Sequence, residues 1–335
     1  MNFAMTLFTL QDLEQASSIV KTLMPATPAY NWPLLSQRAG LQVVVKHENH
    51  TPTGSFKARG GLVYIESLKA AGTLPSGLVT ATRGNHGQSV AIGAARHNIP
   101  ALIVVPEGNS EEKNASMEAF GGQVVISGND FDESREMAAA IEQERGYHFI
   151  PAFHPKLVLG VATYAYELFS SHKNLDVVYV PIGMGSGICS LISVRDLLGL
   201  NTEIVGVVAE QAPAFALSFD AGRVVQTETA HTFADGVACR KPPAESLEII
   251  MGGAARIVRV SEDEIADAIR HLYTDTHNMA EGAGAAAVAA LLKDAPTHSY
   301  SQAGVVLCGG NIDMPVFAQI LAGHTPKASS LTTEA

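Results

Sequence analysis

The sequence predicts an α/β protein built from two mostly parallel sheet units. Short Val- and Ile-rich runs alternate with helical patterns along almost the whole chain, as expected of buried strands joined by helical crossovers. The chain has 335 residues, 47% of them hydrophobic, which is enough to bury the cores of two such units. Glycine-rich turns stand between a strand pattern and a helix pattern at 83–87 and again at 183–187.

The elements follow in order. Periodicity predicts a helix over 10–23, with Leu13, Ala16, Val20 and Leu23 on one side and Pro25 and Pro28 beyond its end. A short strand over 41–46 leads through a turn at 49–54 into a helix over 56–71, which puts Lys57 near a helix N-terminus. A strand over 77–81, the tight turn 83–87 and a helix over 88–97 come next. Strands over 101–105 and 123–126 then alternate with helices over 111–120 and 131–145. A second unit begins near 151–155, with a helix over 157–169, a strand over 177–180, the loop 183–187 and a helix over 188–198. A strand over 202–208, a helical stretch near 213–220 and patterned segments at 255–260, 262–273, 281–292 and 304–307 extend the alternation. The small, polar stretch 324–335 reads as a flexible tail, and no fixed-period repeat is evident.

Charge and cysteine usage narrow the function classes. With 33 Asp and Glu against 22 Lys and Arg, the net charge of −11 gives no diffuse attraction to nucleic acid or to an anionic membrane. Cys189, Cys239 and Cys308 are odd in number and widely spaced, which argues against a disulfide framework or a structural zinc site. The N-terminus has no signal-peptide pattern and no apolar run is long enough to span a bilayer, so a soluble, cytoplasmic protein is expected.

Two motifs carry chemistry. In Thr53-Gly54-Ser55-Phe56-Lys57-Ala58-Arg59-Gly60-Gly61 the lysine is either a solvated cation or an enclosed amine. An enclosed amine of lowered pKa forms a Schiff base with an aldehyde. Pro181-Ile182-Gly183-Met184-Gly185-Ser186-Gly187 follows a strand and opens a helix, so its backbone N–H groups suit a phosphate; the alternative is a structural glycine turn. A nucleoside-triphosphate loop is a poorer match because the Gly-Lys-Ser/Thr ending is missing. A dinucleotide fold is a weak match, because the loop occurs late and Glu210 is not decisive.

Taken in order, Ser55-Phe56-Lys57, Gly84-Asn85-His86-Gly87 and the later glycine loop resemble the fold-type-II pyridoxal-phosphate (PLP) enzymes, specifically the threonine and serine dehydratases and serine racemase. The resemblance runs from roughly residue 20 to 320. It implies open twisted sheet domains with a cofactor cleft between them: a large PLP-binding domain of 1–46 and 154–323, and a small substrate-side domain of 47–153. Lys57 then corresponds to the catalytic lysine that carries PLP, with Phe56 beside it, and Asn85 to the partner of the ring hydroxyl. Gly183, Met184, Gly185, Ser186 and Gly187 correspond to the phosphate loop. Cys308, in Leu307-Cys308-Gly309-Gly310-Asn311, corresponds to the residue near the pyridine nitrogen, where most members carry Ser. By their own chemistry, Asn85 also suits a helix cap and Cys308 an ordinary buried thiol.

Ser55, Thr82, Arg83, Gly84 and His86 suit the substrate carboxylate by position, and His86 equally suits turn stabilisation. Glu281, in Glu281-Gly282-Ala283-Gly284-Ala285, resembles the glutamate beside the cofactor; the alternative is a helix N-terminal charge. Arg83 departs from the racemases, which place serine there. A guanidinium is a poor proton shuttle, so elimination is favoured over racemisation. Arg83 either binds a carboxylate, such as the second one of a hydroxyaspartate-like substrate, or forms a salt bridge that supports the turn. Glu210 is retained from the metal segment of metal-activated racemases, but Ala216 stands where Asp is wanted, so no required metal is expected. Asp235 reads as structural.

The implied reaction converts a β-hydroxy amino acid, threonine or serine by default, into a 2-oxo acid and ammonia. The resemblance also implies a homodimer, and no added regulatory domain is expected. Competing readings are a phenylserine or hydroxyaspartate dehydratase, an amino-acid racemase, a β-replacement synthase and a non-enzymatic PLP-binding protein.

Overall fold

The computed structural model describes residues 7–129 and 131–327; of the tail expected to be flexible, 328–335 lie outside the described residues. The described strands are β1 (Ala29–Asn31), β2 (Gln42–His47), β3 (Leu78–Ala81), β4 (Ala101–Val105), β5 (Gln123–Ile126), β6 (His148–Phe149), β7 (Val177–Pro181), β8 (Glu203–Ala209), β9 (Arg256–Val260) and β10 (Gln302–Leu307). They form two sheets. The larger has the order β1-β2-β10-β7-β8-β9, and the smaller has the order β5-β4-β3-β6. All pairings are parallel except that of β1 with β2 at the edge of the larger sheet. Most of the parallel strands are buried along their length, which is why they read as continuous apolar runs.

The helices are α1 (Leu10–Lys21), α2 (Pro33–Ala39), α3 (Lys57–Ala70), α4 (Asn85–Ala95), α5 (Glu111–Ala119), α6 (Phe131–Arg145) and α7 (Pro155–Ser171), followed by α8 (Ser186–Leu197), α9 (Ala214–Ala221), α10 (Ala244–Gly253), α11 (Glu262–Thr276), α12 (Gly282–Asp294) and α13 (Met314–Leu321). Local chemistry sets several ends. Thr9 with Asp12 and Ser261 with Glu264 form reciprocal capping boxes at the starts of α1 and α11. Ser110 caps α5 by accepting from the Lys113 N–H.

The structure adds elements that sequence periodicity did not mark: β1, β6, α2, α10 and α13. The two strands have only three and two residues, too few to show alternation. Pro33 begins α2, Pro243 is the N-cap of α10 and Pro315 is the second residue of α13; proline there reads as a breaker but in fact suits a helix start. α4 starts at Asn85, three residues before the expected helix, because Gly84 is its N-cap and the glycine turn belongs partly to the helix.

α3 is the wall between the two halves. It packs on α4 beside the small sheet and on α7 beside the large one. Its path is set by small residues: a Cβ at Gly61 would lie 2.6 Å from the Ser89 carbonyl oxygen of α4, and one on Gly160 of α7 would collide with the Arg59 carbonyl. Next to this crossing lies a buried ionic cluster. The Arg59 guanidinium donates to Glu48 from Nε (2.7 Å) and Nη2 (3.0 Å), to Glu167 from Nη1 (2.8 Å) and Nη2 (2.9 Å), and to Thr163 Oγ1 (2.9 Å). Lys46 Nζ donates to Glu167 and to the Thr27 carbonyl, and Arg59, Lys46 and Glu48 are all inaccessible to solvent.

Candidate active site

Parallel strands bring the predicted motifs together at their carboxyl ends, the usual location of ligand sites in open α/β sheets. β3 turns through 82–84 into α4, β7 through 182–185 into α8, and β10 runs into 308–310. The lysine segment is stitched to the last of these. The Phe56 N–H donates to the Cys308 carbonyl (3.0 Å), the Gly310 N–H donates to the Gly54 carbonyl (2.9 Å), and Ser55 and Gly309 form an antiparallel bridge. The Glu281 N–H donates to the Gly309 carbonyl (3.2 Å), which brings the N-cap of α12 to the same place.

Lys57 therefore begins α3 where β10 ends. Its Nζ lies 5.1 Å from the centroid of the Phe56 ring and makes no hydrogen bond or ion pair among the described residues. Burial lowers its pKa, with Cys308 and Glu281 pulling the other way. The same enclosure depresses His86 to about 4, assisted by the Lys57 charge, so this imidazole is neutral at neutral pH. Burial raises the Cys308 thiol well above its ordinary value, and nearby Glu281 adds to the effect. Cys308 is thus a neutral S–H rather than a thiolate nucleophile. Burial also pushes Glu281 up to about 7, although Lys113 and a hydrogen bond from Asn85 hold it down.

Two rows of backbone donors face this region. At the start of α8, the N–H groups of residues 183–188 donate to no acceptor among the described residues. Gly185 has φ +100°, a left-handed conformation that side chains resist, and a Cβ there would lie 2.8 Å from Ser246 Cβ. At the start of α4, the N–H groups of residues 85–87 are likewise without acceptors among the described residues. Each helix end thus offers successive donors and a partial positive charge to an anion.

The remaining predicted residues divide by their partners. Asn85 does not cap its helix, since Gly84 holds that position; its Nδ2 donates to Glu281 Oε1 (2.8 Å) and its Oδ1 accepts from Asn311 Nδ2 (2.7 Å). Thr82 Oγ1 accepts from the Gly84 N–H (3.0 Å) and so shapes the turn. His86 Nε2 makes only a long contact, 3.4 Å, with the Ile150 carbonyl. Ser55 Oγ is fully buried with no partner. Arg83 forms no salt bridge among the described residues, so a turn-supporting ion pair is not what it makes, and its enclosed Nε lacks a hydrogen-bond partner.

Sequence reasoning missed the residues that span the gap between the halves. Lys113 Nζ from α5 meets Asp235 Oδ2 at 2.9 Å, Ser110 Oγ meets Asp313 Oδ1 at 2.6 Å, and Asn311 Nδ2 also reaches the Thr53 carbonyl. A cavity of about 130 Å³ lies here, lined by Lys113, Asp235, Gly236, Glu281, Asn311 and Asp313 among others. The available signal was the N-capping Ser110 three residues before Lys113, which orients the first turn of α5. Glu210 is exposed, and among the described residues no three His, Cys, Asp or Glu side chains gather in a metal-binding cluster. No described helix is long and apolar enough to cross a membrane.

Two α/β halves, an unpaired enclosed lysine and a helix-terminal anion cradle define a carbonyl-binding, phosphate-binding cleft of the fold-type-II class. The family model of the pyridoxal-phosphate-dependent enzymes matches residues 20–309, and the chain belongs to that family. It is 35% identical over 318 residues to an L-threonine ammonia-lyase of Thermotoga maritima, covering 94% of this chain and 78% of that one. It is 32% identical to the catabolic L-threonine dehydratase of Escherichia coli K12, covering 91% of this chain and 92% of the relative. Among solved structures, a T.th. threonine deaminase superposes with a TM-score of 0.85 at 32% identity, covering 92% and 99% of the two chains. A pyridoxal 5'-phosphate-dependent aspartate racemase superposes with a TM-score of 0.87 at 25% identity, covering 92% and 97%. The residues present fit pyridoxal phosphate: unanswered N–H groups at 183–188 suit its phosphate, and the unpaired amine of Lys57 suits its aldehyde.

Proposed function

We propose that this chain converts a β-hydroxy amino acid, with threonine or serine as reference substrates, into a 2-oxo acid and ammonia. The observation that carries the reading is the desolvated, unpaired Lys57 together with two separate rows of free backbone donors, at the starts of α4 and α8. One row suits the cofactor phosphate and the other the substrate carboxylate. Identities of 35% and 32% to an L-threonine ammonia-lyase and an L-threonine dehydratase support the same choice.

Lys57 and the donors of 183–188 would hold pyridoxal phosphate, which would supply an electron sink that acidifies the substrate Cα–H. The residues do the rest. The N–H groups of 85–87 hold the α-carboxylate, and Lys57 Nζ, its pKa lowered by burial, takes the Cα proton. The β-hydroxyl then leaves as water, and one water enters as ammonia departs, so the net change is substrate to 2-oxo acid plus ammonia. A guanidinium is a poor proton shuttle, so Arg83 provides no base for the opposite face, which favours elimination over inversion. Burial weakens His86 as a base, which leaves the Cα proton to Lys57, and Cys308 would offer the cofactor ring an uncharged S–H. Phe56 packs beside the lysine, and Asn85, held by Glu281 and Asn311, would be the partner of the ring oxygen by the family resemblance.

The same proposal includes lobes of 1–46 with 154–323 and of 47–153, supported by the partition of strands between the two sheets. It also includes a homodimer, supported by the family resemblance, and a cytoplasmic location, supported by three cysteines that are all free. Incubation of the PLP-loaded protein with threonine, serine and phenylserine tests the chemistry, with ammonia, 2-oxo acid and residual stereochemistry measured together. Ammonia and 2-oxo acid are expected in equal amounts. Inverted amino acid without 2-oxo acid points to a racemase, and PLP binding with neither turnover nor a substrate-dependent spectral change points to a binding protein.

A further inference from the structure

The cations at the starts of α3, α4 and α5 are accounted for differently. Lys113 is neutralised by Asp235, and burial lowers the pKa of Lys57. Arg83 has no such ionic partner. Among the described residues no carboxylate pairs with it and no hydrogen bond reaches it, while its Nε is enclosed. An arginine does not escape this position by losing its proton, and an enclosed donor without an acceptor is costly.

Its place in the fold indicates what would complete it. Arg83 lies two residues beyond the end of β3 and immediately before Gly84, the N-cap of α4. The next three residues carry the free N–H groups of 85–87, the row suited to an α-carboxylate. An amino acid seated there has its α-carboxylate answered by backbone. Arg83, adjacent in the chain, then remains for a different anionic group of the same molecule. A methyl or phenyl substituent on Cβ leaves the guanidinium unanswered, whereas a carboxylate accepts two parallel N–H bonds from its planar fork.

We propose that Arg83 is a specificity-determining residue that selects a substrate bearing a second carboxylate on Cβ, a 3-hydroxy dicarboxylic amino acid such as 3-hydroxyaspartate. This rests on the ammonia-lyase reading and narrows its substrate class. The balance is the same: water leaves from Cα and Cβ, water enters as ammonia departs, and the product is a four-carbon 2-oxo dicarboxylate.

The test compares kcat/KM of the PLP-loaded enzyme for threo- and erythro-3-hydroxyaspartate with that for serine, threonine and phenylserine. At least a tenfold preference for one 3-hydroxyaspartate isomer over serine is expected. Arg83→Ser should reduce that ratio at least tenfold, chiefly through KM of the dicarboxylate, and Arg83→Lys should recover part of it. A second readout needs no turnover: succinate should raise the melting temperature of the parent holoenzyme more than butyrate does, and Arg83→Ser should erase the difference. If Arg83→Ser does not fold, Arg83→Lys carries both measurements and should weaken both. A parent preference for serine, threonine or phenylserine would overturn the proposal, as would a ratio unchanged within threefold in the variant. If no substrate yields 2-oxo acid, the ammonia-lyase reading fails, and the succinate comparison still decides whether Arg83 takes a second carboxylate.

Discussion

Lys57 and Arg59 stand two residues apart on α3, yet their surroundings are opposite. Arg59 directs its guanidinium into two carboxylates and two hydroxyls, with no solvent access. Lys57 has no hydrogen-bond partner among the described residues, and its enclosure disfavours its charge. A buried charge with complete hydrogen bonding is a fixed part of the fold, whereas an enclosed amine without partners is free to react. The Arg59 cluster, balanced between Arg59 and Lys46 on one side and Glu48 and Glu167 on the other, ties the first turn of α3 to α7 and to the end of β2. It therefore fixes the backbone from which Lys57 projects.

Removing the satisfied member should produce the larger effect on stability. Arg59→Met strips buried Glu48 of its two guanidinium hydrogen bonds, leaving it only Lys46 at 4.0 Å and the Thr27 hydroxyl, and should cost about 3–5 kcal/mol in urea unfolding. Lys57→Met, which removes an unpaired amine, should change stability by less than about 1 kcal/mol. Equal losses in the two variants would break the distinction drawn between the residues.

The acid of the same cleft gives a smaller, pH-dependent effect. Because the folded protein raises Glu281 from 4.5 to about 7, its contribution to stability is fully present below 4.5 and is lost as pH rises through 7. Glu281→Gln cannot ionise and escapes that loss. In the cofactor-free protein, the stability of the variant relative to the parent should therefore improve by roughly 3 kcal/mol between pH 4 and pH 8. His86, depressed to about 4, acts with the opposite sign, contributing stability above 6.5 that is lost as pH falls through 4. It is present in both proteins, so the difference isolates Glu281. A difference that is flat with pH would mean that Glu281 is ionised as readily in the fold as in the unfolded chain.

Much of this cleft was legible in the sequence because its backbone parts have local signatures. Strands buried on both faces appear as apolar runs, and glycines at strand ends mark the turns into α4 and α8. What sequence could not give is pairing across the chain. Asn85 with Glu281 is separated by 196 positions and Lys113 with Asp235 by 122, and neither pair leaves a spacing pattern. For the same reason Arg83 could be read as a structural ion pair, the favoured reading, or as a ligand. Only the fold shows that no acidic partner reaches it among the described residues.

The central claim, that Lys57 is the residue that holds the cofactor, is tested most directly by borohydride reduction of the PLP-loaded protein followed by peptide mapping. A single phosphopyridoxyl label on Lys57 is expected, together with loss of both label and turnover in Lys57→Ala. A label on Lys113 or another lysine, or normal turnover in Lys57→Ala, would contradict the account.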